Sequence, residues 1–127
     1  MTVGNHILAD MYGIRPELLE RKDTLIDIIE ESVRVGNLTK ISSDYYQFEP
    51  SGASGVILLA ESHISFHTWP EFGLITIDLF TCGDPGKADV AFEYIREALQ
   101  PTEIDFVKKK RGEKTPEPML VPQGQEA

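Results

Sequence analysis

Four strand-like segments follow one another between two stretches of helical periodicity, and few architectures accommodate that order. The clearest strand is Leu74–Thr81, where Ile75, Ile77 and Leu79 share one face while Thr76 and Asp78 point the other way. Upstream, Thr39–Phe48 is rich in β-branched and aromatic residues, and the apolar runs Val56–Ala60 and Ile64–Phe66 flank Glu61-Ser62-His63. Pro50-Ser51-Gly52-Ala53-Ser54-Gly55 has the composition of a loop. Before these strands, Leu25, Ile28, Ile29 and Ser32-Val33 recur at helical spacing until Gly36-Asn37. After them, Gly83-Asp84-Pro85-Gly86 reads as a turn, and Ala88, Ala91-Phe92, Ile95 and Leu99 form a second helical stripe that stops at Pro101. Pro16 suits the first turn of a helix, where its missing N–H costs nothing. A first strand at His6–Tyr12 and a last one with Ile104 and Phe106 on one face complete the order β-α-β-β-β-β-α-β.

Consecutive strands joined by short turns pair antiparallel, and two amphipathic helices cover only one side of the resulting sheet. The expected class is therefore α+β, a two-layer sandwich of a mainly antiparallel sheet with helices on one face. The uncovered face predicts a homodimer. The chain has 127 residues, and 1–111 fit a single domain that buries roughly two-thirds of its unfolded surface. From Gly112 onward prolines and acidic residues replace any apolar period, so 112–127 is expected to be a disordered tail.

Composition removes several functions. With 21 acidic against 12 basic residues the formal charge is -9, which argues against nucleic acid, because phosphate binding needs a concentrated cationic face. The one basic cluster, Lys108 to Arg111, is short and reads as a solvated strand end. A single cysteine, Cys82, makes neither an internal disulfide nor a cysteine-rich zinc site. The beginning of the chain shows no basic segment followed by an apolar run, and the longest apolar stretch, Val56–Ala60, is too short to span a bilayer. No membrane partner and a cytoplasmic location are expected.

Nearly every reactive side chain lies between Phe48 and Asp84: Ser62 and His63, then His67, Glu71 and Cys82. Each has an ordinary reading. A strand serine is usually a surface residue, a strand histidine usually packs, and a lone cysteine usually behaves as a small hydrophobe. His63, His67, Cys82 and Asp84 are also of types that bind zinc. The residues taken singly leave a Ser/His/Cys site, a metal site and plain structure all open.

Their order is more specific. Ala60-Glu61-Ser62-His63-Ile64-Ser65-Phe66-His67-Thr68-Trp69-Pro70-Glu71, followed by Phe80-Thr81-Cys82-Gly83-Asp84, resembles the signature of prokaryotic-type S-adenosylmethionine decarboxylases. The upstream Phe48 to Gly55, the opening His6 to Gly13 and the closing Lys110-Arg111-Gly112 resemble the same family, so the likeness covers roughly residues 4 to 112. The resemblance implies a proenzyme that cuts itself between Glu61 and Ser62, giving fragments 1–61 and 62–127. It implies that Ser62 becomes a covalent pyruvoyl cofactor, the precursor of the carbonyl that condenses with the substrate amine. It implies further that His67 is the acid–base residue of processing, that Ser54 assists processing through hydrogen bonding, and that Cys82 donates the proton that completes decarboxylation. Glu71 matches the carboxylate that binds the ribose hydroxyls, with Phe48 and Trp69 as aromatic partners of the adenine or sulfonium. The implied substrate is S-adenosylmethionine and the implied product the aminopropyl donor of spermidine biosynthesis. No metal is implied.

Chemistry agrees with this scheme, since side chains offer no good electron sink for α-decarboxylation and a carbonyl cofactor does. A serine hydroxyl is a weak nucleophile that needs activation and a destabilised peptide, and Gly52 and Gly55 permit unusual backbone nearby. In a straight strand Ser62 and His67 point to opposite faces, so a bulge or sharp turn is expected between them. Two alternatives share the scaffold: a pyruvoyl-dependent arginine decarboxylase with the same processing residues, and an inactive regulatory paralogue that binds a partner.

Overall fold

The computed structural model describes residues 4–114. The expected tail, from residue 115 on, lies outside them. The elements are β1 (Gly4–Tyr12), α1 (Lys22–Val35), β2 (Lys40–Gln47), β3 (Ala53–Leu59), β4 (Ser62–Trp69), β5 (Leu74–Thr81), α2 (Pro85–Leu99) and β6 (Glu103–Arg111), with short 3-10 turns at Pro16–Leu18 and Pro70–Phe72. This is the expected order, except that Pro16 opens a separate 3-10 turn and α1 begins only at Lys22.

The six strands form one sheet in the order β2-β3-β4-β5-β1-β6, and every neighbouring pair is antiparallel. Strands β2 to β5 meander, so only β1 and β6 are reached by crossing over. Helix α1 carries the chain from β1 to the far edge, and α2 carries it from β5 past β1 to the other edge. The result is an α+β sandwich with both helices on one face.

Period-two alternation builds the core. Ile7, Ala9 and Met11 of β1 sit opposite Leu79, Ile77 and Ile75 of β5, which in turn face Ile64, Phe66 and Thr68 of β4. All of these are buried. The helices close over them with Leu25, Ile29 and Val33 of α1 and Ala88, Ala91, Phe92, Ile95 and Leu99 of α2. Helix α1 ends where Gly36 N–H bonds the Ser32 carbonyl and Asn37 turns to a φ of 57°. Helix α2 starts at Pro85, three residues before the expected stripe begins at Ala88. Asp84 accepts from the Gly86 N–H as its N-cap and Pro85 occupies the first turn, so the supposed turn at 83–86 is a helix start.

A polar tie joins helix and sheet at the β2 edge. Glu30 of α1 accepts from the Tyr45 hydroxyl at 2.6 Å and from Lys40 Nζ at 2.9 Å. Burial opposes the charge on Glu30, but the hydrogen bonds from Tyr45 and Lys40 outweigh it and hold the carboxyl below the usual range. Burial, followed by the bond to Glu30, pushes the Tyr45 phenol well up.

The expected loop at 50–55 is shorter than its composition suggests, because β3 already begins at Ala53. Gly55 is a strand residue without a positive φ, and its use is space: a Cβ there would lie 2.5 Å from the Tyr45 ring and 2.7 Å from that of Phe66. Gly52, at φ 111°, does use glycine's backbone freedom.

Among the described residues no helix covers the other face. By register it carries His6, Leu8 and Asp10 of β1, Tyr46 of β2, Ser54, Val56 and Leu58 of β3, His63, Ser65 and His67 of β4, Thr76, Asp78 and Phe80 of β5, and Val107 of β6. Leu8, Tyr46, Val56, Leu58 and Val107 are exposed there.

Candidate active site

The reactive residues sort into two groups at opposite ends of β4. At the first end, Leu59 and Ser62 are paired strand residues, so Ala60 and Glu61 form a two-residue hairpin loop. Such loops normally place positive φ on Gly, Asn or Asp within the turn. Here neither loop residue has one, and Ser62 takes a φ of 153°, a conformation L side chains rarely adopt. The loop is pinned from outside. The Glu61 carboxylate accepts from the Thr39 amide at 3.0 Å and the Thr39 hydroxyl at 3.2 Å, and the Ala60 N–H bonds the Thr39 carbonyl. The Thr39 amide bond is the main reason the Glu61 carboxyl lies below its usual range.

The carbonyl of Glu61 faces Cys82, the residue just after β5. Its oxygen accepts from the Cys82 amide at 2.9 Å and from Cys82 Sγ at 3.1 Å. Two donors on one carbonyl oxygen draw electron density from its carbon, the requirement for nucleophilic attack at that position. The Ser62 hydroxyl lies on the same peptide and contacts His63 Nδ1 at 3.4 Å. His63 rests on Phe80, whose ring also meets His6 at 5.3 Å and the Arg111 guanidinium at 5.6 Å. Among the described residues His6 Nε2 is buried without a hydrogen-bond partner, and burial lowers the pKa of its ring.

At the second end, His67 stands between two aromatic rings, Trp69 at 4.2 Å and Phe48 at 5.2 Å. Ser54 is its register partner on β3 and donates to the Phe66 carbonyl at 3.0 Å. Ser54, Ser65, His67, Thr76, Asp44 and Asp78 line an open cavity of about 470 Å³. Glu71 is exposed in the 3-10 turn just past Trp69.

Ser62 and His67 do not meet within this chain. Strand β4 pairs without a break from Ser62 to Trp69 against β5, so the expected bulge or turn between them is absent. Five strand residues at ~3.3 Å each separate their Cα atoms by roughly 16 Å. The zinc-type set is likewise not gathered: among the described residues no group of three or more His, Cys, Asp or Glu could hold a metal ion. Among them, too, no helix is long and apolar enough to cross a membrane. The approach of Cys82 to Glu61 was not legible in the sequence, where the two lie 21 positions apart. His63 had a signal in its adjacency to Ser62.

Known proteins with this arrangement decide its ancestry. The sequence profile of S-adenosylmethionine decarboxylase matches residues 5–112. The chain belongs to the S-adenosylmethionine decarboxylase family. Among its relatives are the S-adenosylmethionine decarboxylase proenzymes of Picrophilus torridus, 51% identical over 95% of this chain and 93% of that one, and of Thermoplasma volcanium, 59% identical over 87% of this chain and 85% of that one. The crystal structure of the adenosylmethionine decarboxylase from Aquifex aeolicus superimposes with a TM-score of 0.85 at 48% identity, covering 99% of this chain and 98% of the other. The family's fold is the one seen here. Relatives bearing the proenzyme name do not favour the arginine alternative.

Proposed function

We propose that this chain is a self-cleaving, pyruvoyl-dependent S-adenosylmethionine decarboxylase whose backbone breaks between Glu61 and Ser62. The observation that carries the reading is the pair of hydrogen bonds from Cys82 to the Glu61 carbonyl, beside a serine held at a strained φ. Attack of Ser62 Oγ on that carbonyl carbon moves the acyl group from nitrogen to oxygen. The two Cys82 donors hold the charge that develops on the oxygen, and leaving the amide releases the strain at residue 62. Elimination of the ester, with His67 taking the Cα proton, parts residues 1–61 from 62–127. Hydrolysis of the remaining dehydroalanine, its α-nitrogen departing as ammonia, leaves the ketoacyl cap. The residues fit that outcome, since the only side chain needed for the cap is the serine already at the strained position.

A pyruvoyl group at residue 62 supplies the carbonyl that takes up the substrate amine and withdraws electrons as carbon dioxide departs. The protein's part is positioning and proton supply. Cys82 Sγ, which donates to the Glu61 carbonyl beside residue 62, delivers the proton that completes the reaction. Phe48 and Trp69 present aromatic faces to the sulfonium, and Glu71 accepts from the ribose hydroxyls. The product is decarboxylated S-adenosylmethionine, an aminopropyl donor for spermidine synthesis, made in the cytoplasm.

The separation along β4 implies a homodimer. His67, Ser54, Phe48, Trp69 and Glu71 at one end, and Cys82 with Ser62, whose hydroxyl reaches His63 of the bare face, at the other, come together when two bare sheet faces stack with opposed β4 directions. Each site then takes its serine and cysteine from one protomer and its histidine from the partner. The exposed Leu8, Tyr46, Val56, Leu58 and Val107 supply the apolar area for that contact.

Intact mass spectrometry of freshly purified protein tests the reading. Two fragments corresponding to 1–61 and 62–127 are expected, the second carrying a carbonyl that borohydride reduces. A single uncleaved mass with Ser62 unmodified overturns it.

A further inference from the structure

The acyl shift needs a proton to leave Ser62 Oγ and another to reach Ser62 N, and the group closest to both is not His67. Along its own chain His67 sits roughly 16 Å away, whereas His63 Nδ1 lies 3.4 Å from Ser62 Oγ. Resting on the self-cleavage reading above, we propose that His63 is a catalytic residue of the first processing step, shuttling the serine proton to the departing amide nitrogen.

Several features support this. His63 follows Ser62 directly, so the two move together whatever the rest of the chain does. Its ring is tilted against Phe80 at 5.7 Å, and Phe80 is itself flanked by His6 and Arg111, so the imidazole has a fixed seat. The Glu61 carbonyl is already polarised by Cys82 on the side of β5. What that arrangement lacks is a base at the hydroxyl, and His63 is the titratable side chain in contact with it.

The step balances as follows. The lone pair of Ser62 Oγ forms a bond to the Glu61 carbonyl carbon, the π pair moves onto the oxygen held by Cys82, and the hydroxyl proton passes to His63 Nδ1. The tetrahedral centre then collapses. The carbonyl re-forms, the C–N bond breaks, and the nitrogen leaves with the proton returned by His63. Residue 62 ends as an ester with a free amine, and the imidazole is neutral again. His67 acts only afterwards, on the Cα proton.

The test uses the full chain with His63→Phe, which keeps a ring on Phe80 and removes the nitrogens, and His63→Ala with added imidazole. Cleavage is followed by mass spectrometry, and hydroxylamine, which cuts esters but not amides, reports whether the shift has occurred. For His63→Phe the rate should fall by ~100-fold, in the range typical of general acid–base groups. Hydroxylamine should release no fragment from it, whereas His67→Ala should accumulate the ester and release one. Imidazole should restore cleavage to His63→Ala. Wild-type rates in His63→Phe, or hydroxylamine-sensitive ester in that variant, overturn the proposal. Failure of the unmodified chain to cleave at all would instead remove the underlying reading. Circular dichroism of each variant separates misfolding from lost chemistry.

Discussion

The amide nitrogen and the sulfur of Cys82 both donate to the carbonyl oxygen of Glu61, at 2.9 and 3.1 Å. One donor belongs to the backbone and survives any substitution; the other belongs to the side chain. The two contributions are therefore separable by mutation.

Cys82→Ala keeps the amide donor and loses the thiol. A full oxyanion donor is worth ~100-fold or more in rate, but a thiol is a weak donor. Self-cleavage should slow by about 10-fold and still go to completion. Turnover of the cleaved enzyme should drop further, by ~100-fold, because no replacement proton donor stands at that position. Gel analysis of cleavage alongside carbon dioxide release from labelled substrate checks both halves. Turnover equal to wild type would remove Cys82 from proton delivery.

The backbone at residue 62 makes a second prediction. Its φ of 153° is one that glycine tolerates and other residues do not. Neither Ser62→Ala nor Ser62→Gly can cleave, so both remain intact precursors. Strain of this kind costs ~1–3 kcal/mol, reduced by the larger entropy glycine loses on folding. Ser62→Gly should therefore be the more stable by about 1 kcal/mol, a rise in Tm of roughly 3–6 °C. Thermal melts of the two variants provide the measurement. A lower Tm for the glycine variant would mean that residue 62 is relaxed in the precursor.

How far these features can be read from the sequence depends on the range of the interaction. Helix stripes such as Leu25, Ile29 and Val33, and the alternation of Ile75, Ile77 and Leu79, are local patterns that the fold follows directly. Strand β3 starts earlier than expected: Ala53, Ser54 and Gly55 have the composition of a loop, but Gly55 is small because the rings of Tyr45 and Phe66 crowd it. The odd spacing of Ser62 and His67 suggested a bulge between them, and there is none. The register with β5 is unbroken, and register is a tertiary property. The Cys82–Glu61 contact was hidden for the same reason: it exists because Ser62 pairs with Thr81.

The Glu30–Tyr45 contact gives a pH-dependent prediction, measured by urea unfolding in the uncleavable Ser62→Ala background. Removing a hydrogen bond to a charged group costs ~1.5–3 kcal/mol. Tyr45→Phe should lose an amount toward the lower end near neutral pH, because Lys40 still partners Glu30. The Tyr45 phenol is raised, so its contribution is whole below the unfolded tyrosine value of ~10 and is lost as pH climbs toward the folded value. The Glu30 carboxyl is depressed, so its contribution is present above the unfolded glutamate value of ~4.3 and is lost as pH falls through the folded one. The stability gap between the parent and Tyr45→Phe should narrow at both extremes. A gap constant from pH 4 to 11 would show that the contact contributes packing alone.

The distance between Ser62 and His67 leads to the last prediction. If each site joins the serine of one protomer to the histidine of its partner, defects in the two residues must complement across chains. Ser62→Ala homodimers have no nucleophile, and His67→Ala homodimers have no acid–base residue for the elimination, so each variant alone should remain essentially uncut. A mixed dimer contains one site with both groups intact: the serine of the His67→Ala chain beside the histidine of the Ser62→Ala chain. Co-expression with distinguishable tags should therefore yield cleavage of the His67→Ala chain only. Its extent should approach about half of those chains, the share that random equal pairing places in mixed dimers. Cleavage of that chain at the same rate without its partner would mean that His67 acts within its own protomer or is dispensable, and absence of cleavage in verified mixed dimers would rule out a shared site.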